Sequence, residues 1–169
     1  GNALISGTSF FGDAITATST LTVSATTTAS YFAASALGTT GAPAFTFTSD
    51  LNTGIWSSGA DTLNFSTAGV ERLRIDSSGN VGIGTTTPNW LLQVTGTRPS
   101  FVLSDSNAAA NLKHWTLSSQ GGNFYIATSS DLYATSSTAA LTIDNNNLVG
   151  IGTNTPSHAL SVNGSILAD

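Results

Sequence analysis

The sequence predicts an all-β fold, an elongated repetitive β fibre in which two tandem modules follow a shaft segment, and three observations lead there. First, the stretch from Leu73 to Thr97, LRIDSSGNVGIGTTTPNWLLQVTGT, returns from Leu141 to Ser165 as LTIDNNNLVGIGTNTPSHALSVNGS. The offset is a constant 68 (141 − 73) with no gap, the mark of a tandem structural unit. Second, short apolar runs of period two alternate with turn residues through most of the chain, which is the pattern of strands. Third, the material for a solitary core is thin. Apolar residues make up 40% of the 169, but many are Ala, which buries little area. With no Cys and no metal-ligand cluster, the remaining support for such a core is association with copies of the same chain.

Taken in order, residues 1–40 read as a shaft of short-period β repeats. Leu4-Ile5 and Leu21-Thr22-Val23 are followed at similar distances by Phe10-Phe11 and Tyr31-Phe32, a spacing within the range of stacked solenoid units. Gly38 to Pro43 (GTTGAP) punctuates the chain, and the first module spans residues 41–97. Its strands are expected around Phe45 and Phe47, at Gly54-Ile55-Trp56 and at Leu63-Asn64-Phe65, with Ser57 to Asp61 as a turn. The repeated element follows as strand, turn and strand: Leu73-Arg74-Ile75, then Asp76 to Asn80, then Val81-Gly82-Ile83-Gly84. Pro88 closes that strand by removing a ladder donor, and Leu92-Gln93-Val94 is a third.

The second module, residues 98–169, is expected to match it, with strands at Phe101-Val102-Leu103, Trp115-Thr116-Leu117, Phe124-Tyr125-Ile126 and Leu132-Tyr133 before the repeat. Trp115 is taken as the counterpart of Trp56 and Phe124 as that of Phe65. Asn107 to Asn111 is left without a helix. Within the repeats, Asn147 stands where Gly79 stands, as expected of a position that needs a left-handed backbone. Gly82 and Gly84, with Gly150 and Gly152, give the glycine strands a face bearing only hydrogen, so that another backbone can approach closely. Pro156 repeats Pro88.

The run from Glu71 to Thr85, ERLRIDSSGNVGIGT, resembles the repeat of bacteriophage tail fibres and tailspikes, where it often precedes a self-cleaving chaperone domain. Asn52-Thr53-Gly54-Ile55-Trp56 and Gly59 to Phe65 are similar to the segment such fibres place just before it. Related repeats are also similar to those of bacterial surface proteins. The resemblance implies an extracellular homotrimer with interwound strands, of the β-prism or triple β-helix kind, located on a virion or a cell-surface appendage. The implied function is a structural segment of an attachment fibre that spaces and presents a receptor-binding tip. The alternatives are a bacterial surface filament or adhesin subunit that polymerises through its β modules, and a polysaccharide-degrading tailspike.

Charge narrows the partners. The net charge is −5 with four basic residues, Arg72, Arg74, Arg98 and Lys113, too few to build a phosphate-binding surface, so nucleic acid is not expected. No apolar run approaches the ~20 residues that span a bilayer, so membrane insertion is not expected either. The chain contains no Met, which leads us to expect a segment of something longer.

No enzyme and no cofactor are expected. Asp76 and Asp144 occupy equivalent turn positions where a hydrogen bond to backbone accounts for them, rather than a carboxylate pair or a calcium loop, for which the closing Glu is missing. His114 and His158 read as solitary, with neither metal nor triad spacing. Trp56 and Trp115 read as packing residues. Trp90, replaced by His158 in the second copy, is the candidate to face a host-surface glycan. Glu71, Arg72 and Arg74 form a candidate ion pair between chains.

Overall fold

A computed structural model describes residues 33–132 and 138–166. The shaft segment expected over residues 1–40 lies outside the described residues as far as residue 32. The described fold is all-β: among these residues there is no helix, and the strands form three sheets. The chain divides after Ala33, and the strands of the described residues lie in Ala34–Asp169.

The smallest sheet is a hairpin of β1 (Gly38–Thr39) and β2 (Ala42–Pro43). It belongs to the first module. Pro43 is buried, and Ser57 N–H donates to Leu37 O at 2.9 Å. The expected module start at residue 41 therefore falls inside this hairpin.

The first six-stranded sheet follows the chain, β3 (Phe45–Phe47), β4 (Asp50–Trp56), β5 (Leu63–Thr67), β6 (Val70–Ile75), β7 (Val81–Ile83) and β8 (Leu92–Val94). The second repeats that order with β9 (Ser100–Ser104), β10 (His114–Gln120), β11 (Asn123–Ser129), β12 (Leu141–Ile143), β13 (Val149–Ile151) and β14 (Leu160–Val162). In each, neighbours are antiparallel except the last pair, β7 with β8 and β13 with β14, which are parallel. Leu132, expected in a strand, lies in a turn, and Tyr133 lies outside the described residues.

A parallel pair ordinarily needs a crossover of about a dozen residues or more. Here residues 84–91 and 152–159 suffice, eight in each module (92 − 83 − 1 and 160 − 151 − 1). The connection crosses over the preceding strand at the glycine. A Cβ on Gly82 would lie 2.8 Å from Thr85 O and 3.3 Å from Pro88 Cγ, and one on Gly150 would collide with Thr153 O. The backbone that approaches the glycine face is thus the chain's own loop. Pro88 and Pro156 are buried in it.

The turn before each glycine strand closes in the same way twice. Asp76 Oδ1 accepts from Ser78 N–H at 2.9 Å and Asn80 N–H at 2.8 Å, and Asp144 Oδ1 from Asn146 N–H at 2.9 Å and Leu148 N–H at 2.8 Å. Gly79 has φ 84° and Asn147 φ 61°, the left-handed backbone expected at that position.

The burial pattern inverts the usual arrangement of a sheet. The side chains buried most completely are polar or small: Asn64, Ser66 and Thr142, joined by Thr116, Ser118, Ser129 and Ala127. They share a face with Gly82 and Gly150, the face the loops cover. The opposite face is apolar and open.

Candidate functional site: an apolar face repeated in both modules

Strand register builds the open face row by row, because directly paired residues point to the same side of a sheet. In the first module Phe45 pairs with Ile55, Ile55 with Phe65, Phe65 with Leu73, Leu73 with Ile83 and Ile83 with Val94. All six strands contribute one apolar residue to a single uninterrupted row. In the second module the corresponding row is Phe101, Leu117, Ile126, Leu141, Ile151 and Val162. A shorter row runs beside each, Leu63, Ile75, Val81 and Leu92 in one and Phe124, Ile143, Val149 and Leu160 in the other.

Thirteen of these twenty side chains are more than a third exposed, and the other seven are half-buried. Phe45 is 49% exposed, Leu92 62%, Phe101 63% and Leu160 56%, values typical of surface rather than core. Beside β3, a cleft of about 410 Å³ is lined by Phe45, Phe47, Ile55 and Phe65 among others.

The loop-covered face differs between modules in nearly every residue. Asn64, Arg74, Gly82 and Gln93 on the first correspond by register to Tyr125, Thr142, Gly150 and Ser161 on the second. Only the glycine is common. Yet the bonds that seat the loop are kept: Gln93 Oε1 accepts from Asn89 N–H at 2.9 Å, and Ser161 Oγ from Ser157 N–H at 3.1 Å. Each module therefore solves its own loop-facing interior separately, while both keep the outward face apolar at all ten paired positions.

The register corrects the pairing of tryptophans between modules. Trp56 lies opposite Asn64 and Ile55 opposite Phe65, whereas Leu117 lies opposite Ile126. The counterpart of Ile55 is thus Leu117, that of Trp56 is Ser118, and that of Phe65 is Ile126 rather than Phe124. Trp56 faces the loop-covered side, where its Nε1–H donates to Ser66 Oγ at 2.7 Å. Trp115 stands two residues before Leu117 on the open face and is 44% exposed.

Glu71 and Arg74 form their ion pair within one chain. Residues three apart on a regular strand face opposite ways, but the register shifts between Phe65 and Ser66, so that Ser66 lies opposite Glu71 while Phe65 lies opposite Leu73. Arg72 is the extra residue of this bulge, and both partners are brought to one side. Arg74 Nε donates to Glu71 Oε1 at 2.6 Å and Nη2 to Oε2 at 2.9 Å, with the side chains 15% and 7% exposed. The hydrogen bond to Glu71, reinforced by its charge, raises the Arg74 pKa above the ordinary arginine value. Arg72 Nε donates to Thr67 Oγ1 at 2.9 Å. Glu71, Arg72 and Arg74, the candidate inter-chain group, make these contacts within one chain.

Trp90 is 66% exposed and Leu91 80%, both on the loop that crosses β7. Gly84 and Gly152 have φ 73° and 65°, at the points where that loop leaves the glycine strands. Asp76 carries a pKa below its ordinary 3.8, chiefly through the backbone hydrogen bond from Asn80.

His114, read as solitary in the sequence, has company. Its Nδ1 lies 2.8 Å from Ser104 Oγ and its Nε2 3.5 Å from Asp131 Oδ1. Sequence spacing gives no sign of this grouping, because three separate segments contribute to it.

Comparison with known proteins finds no family model that matches the chain and no curated protein similar to it.

Proposed function

We propose that this chain is a structural segment of an extracellular attachment fibre, assembled as a homotrimer in which each module contributes its sheet as one wall of a three-walled prism with the apolar faces inward. The observation that carries the reading is the outward face kept apolar at ten paired positions in both modules while the opposite face diverges. A face repeated in tandem asks for a partner repeated in tandem, and another copy of the same chain meets that requirement at both levels. The area is adequate. The thirteen row side chains that are more than a third exposed, eight in the first module and five in the second, together amount to on the order of 1,000 Å², one partner's share of a stable interface.

The glycine sides of β7 and β13 take no part in the contact, since their own loops cover them, while Val81, Ile83, Val149 and Ile151 on the opposite side belong to it. Fibre spacing then follows from stacking modules along the axis, and closing three sheets on one another removes the apolar surface that would otherwise drive aggregation. Trp90, outside the prism wall, is free to meet a glycan on a host surface.

A second reading, a cell-surface filament, is favoured by the open edges β3, β8, β9 and β14, each paired on one side only. Such edges can add strands from another copy head to tail. Negative-stain microscopy and light scattering of the full chain separate the two. Finite rods of one cross-section support the prism, whereas polymers of indefinite length support the filament.

A further inference from the structure

We infer that Ser104, His114 and Asp131 form a nucleophile, base and orienting carboxylate that cleave a small, anionic acyl ester in a cavity of the second module. The geometry rests on strand register. Asp105 N–H donates to Lys113 O at 2.9 Å, which makes that pair hydrogen-bonded and its neighbour, Ser104 opposite His114, a non-hydrogen-bonded pair, in which facing side chains approach most closely. The 2.8 Å between Ser104 Oγ and His114 Nδ1 follows. The same alternation turns the Ser104 N–H away from β10 towards the free edge of the sheet, where it is available as a donor to an oxyanion.

Asp131 is held independently of the histidine. Its N–H donates to Asn111 Oδ1 at 3.2 Å, and Lys113 Nζ lies 3.7 Å from its Oδ2. Its Oδ1 is buried, has no hydrogen-bond partner at ordinary distance, and lies 3.5 Å from His114 Nε2. A buried carboxylate oxygen is costly without a donor, and a proton on Nε2 is the donor within reach. That tautomer leaves Nδ1 as the acceptor facing Ser104, the division of roles a base requires.

Ser104 and His114 line a cavity of about 350 Å³ with Arg98, Ser100, Val102 and Thr116. Arg98 forms no ion pair among the described residues, so a carboxylate on the acyl group matches it. In the reaction Ser104 Oγ attacks the ester carbon while its proton passes to Nδ1. Collapse of the tetrahedral species breaks the C–O bond, and the departing alcohol takes that proton. Water then attacks the acyl-serine through the same base, releasing the carboxylic acid and restoring Ser104.

The test uses the full chain, a fluorophosphonate probe and peptide mass spectrometry, with mono-4-nitrophenyl succinate and 4-nitrophenyl acetate as esters. The expected result is an adduct on Ser104, slowed about a hundredfold or more in His114→Gln and at least several-fold in Asp131→Asn. Succinyl ester is expected to be preferred over acetyl, with the preference lost in Arg98→Gln. Ser104→Ala, at an exposed site, is the blank, and circular dichroism checks that each variant folds. No adduct on Ser104, or labelling of folded His114→Gln at the wild-type rate, overturns the site. Equal rates for the two esters overturn the anionic substrate class.

Discussion

The positions that fix the repeat act through contact and backbone angle, and each has a measurable cost. A methyl at Gly82 would press on Thr85 O and Pro88 Cγ, both parts of a loop already seated by hydrogen bonds. Gly82→Ala is therefore expected to lose about 1 to 3 kcal/mol in urea denaturation, the range of overpacking. Gly79→Ala, at φ 84°, is expected to lose roughly 1 to 2 kcal/mol, while Asn147→Gly at the equivalent site changes stability by no more than a few tenths of that. Asp76 supplies a pH signature. Its native pKa lies below 3.8 because backbone N–H groups stabilise the carboxylate, so its contribution is full above 3.8 and is lost as the pH falls through the lowered native value. Thermal melts across that window are expected to show a steeper acid loss for wild type than for Asp76→Asn, which keeps the acceptor and has no charge to titrate.

Among the elements, the glycine strand with its covering loop was the most legible part of the chain. A gapless offset forces the two copies into one register, and the strands at 73–75, 81–83 and 92–94 lie where alternation placed them. What covers the glycines was not legible, because a short parallel crossover leaves no pattern of its own: Thr85 and Pro88 read as punctuation. Upstream of Leu73 the connections differ in length and β6 carries a bulge, so matching by aromatic identity paired Trp56 with Trp115, which lie on opposite kinds of face. The grouping of Ser104, His114 and Asp131 depends on register between strands and on a turn, none of which spacing encodes. The bulge itself makes a prediction. Arg74→Met alone strands the mostly buried Glu71 carboxylate, so it is expected to destabilise by about 1 to 3 kcal/mol, more than Glu71→Gln combined with Arg74→Met. A double-mutant cycle measures the difference.

At the scale of the molecule, two sheets with polar interiors and apolar exteriors make sense as parts of something larger. Each inner strand of the two sheets is paired on both sides, so what a partner adds is coverage of the open faces. Charging those faces is expected to undo assembly without undoing the sheets. Phe65→Asp with Ile126→Asp, one in the centre of each row, should yield a smaller species that keeps its β circular dichroism. The most direct measurement is sedimentation equilibrium of the full wild-type chain over a wide concentration range. The account predicts a folded species of three times 17.1 kDa that persists on dilution, and a folded single copy of 17.1 kDa across that range would contradict it.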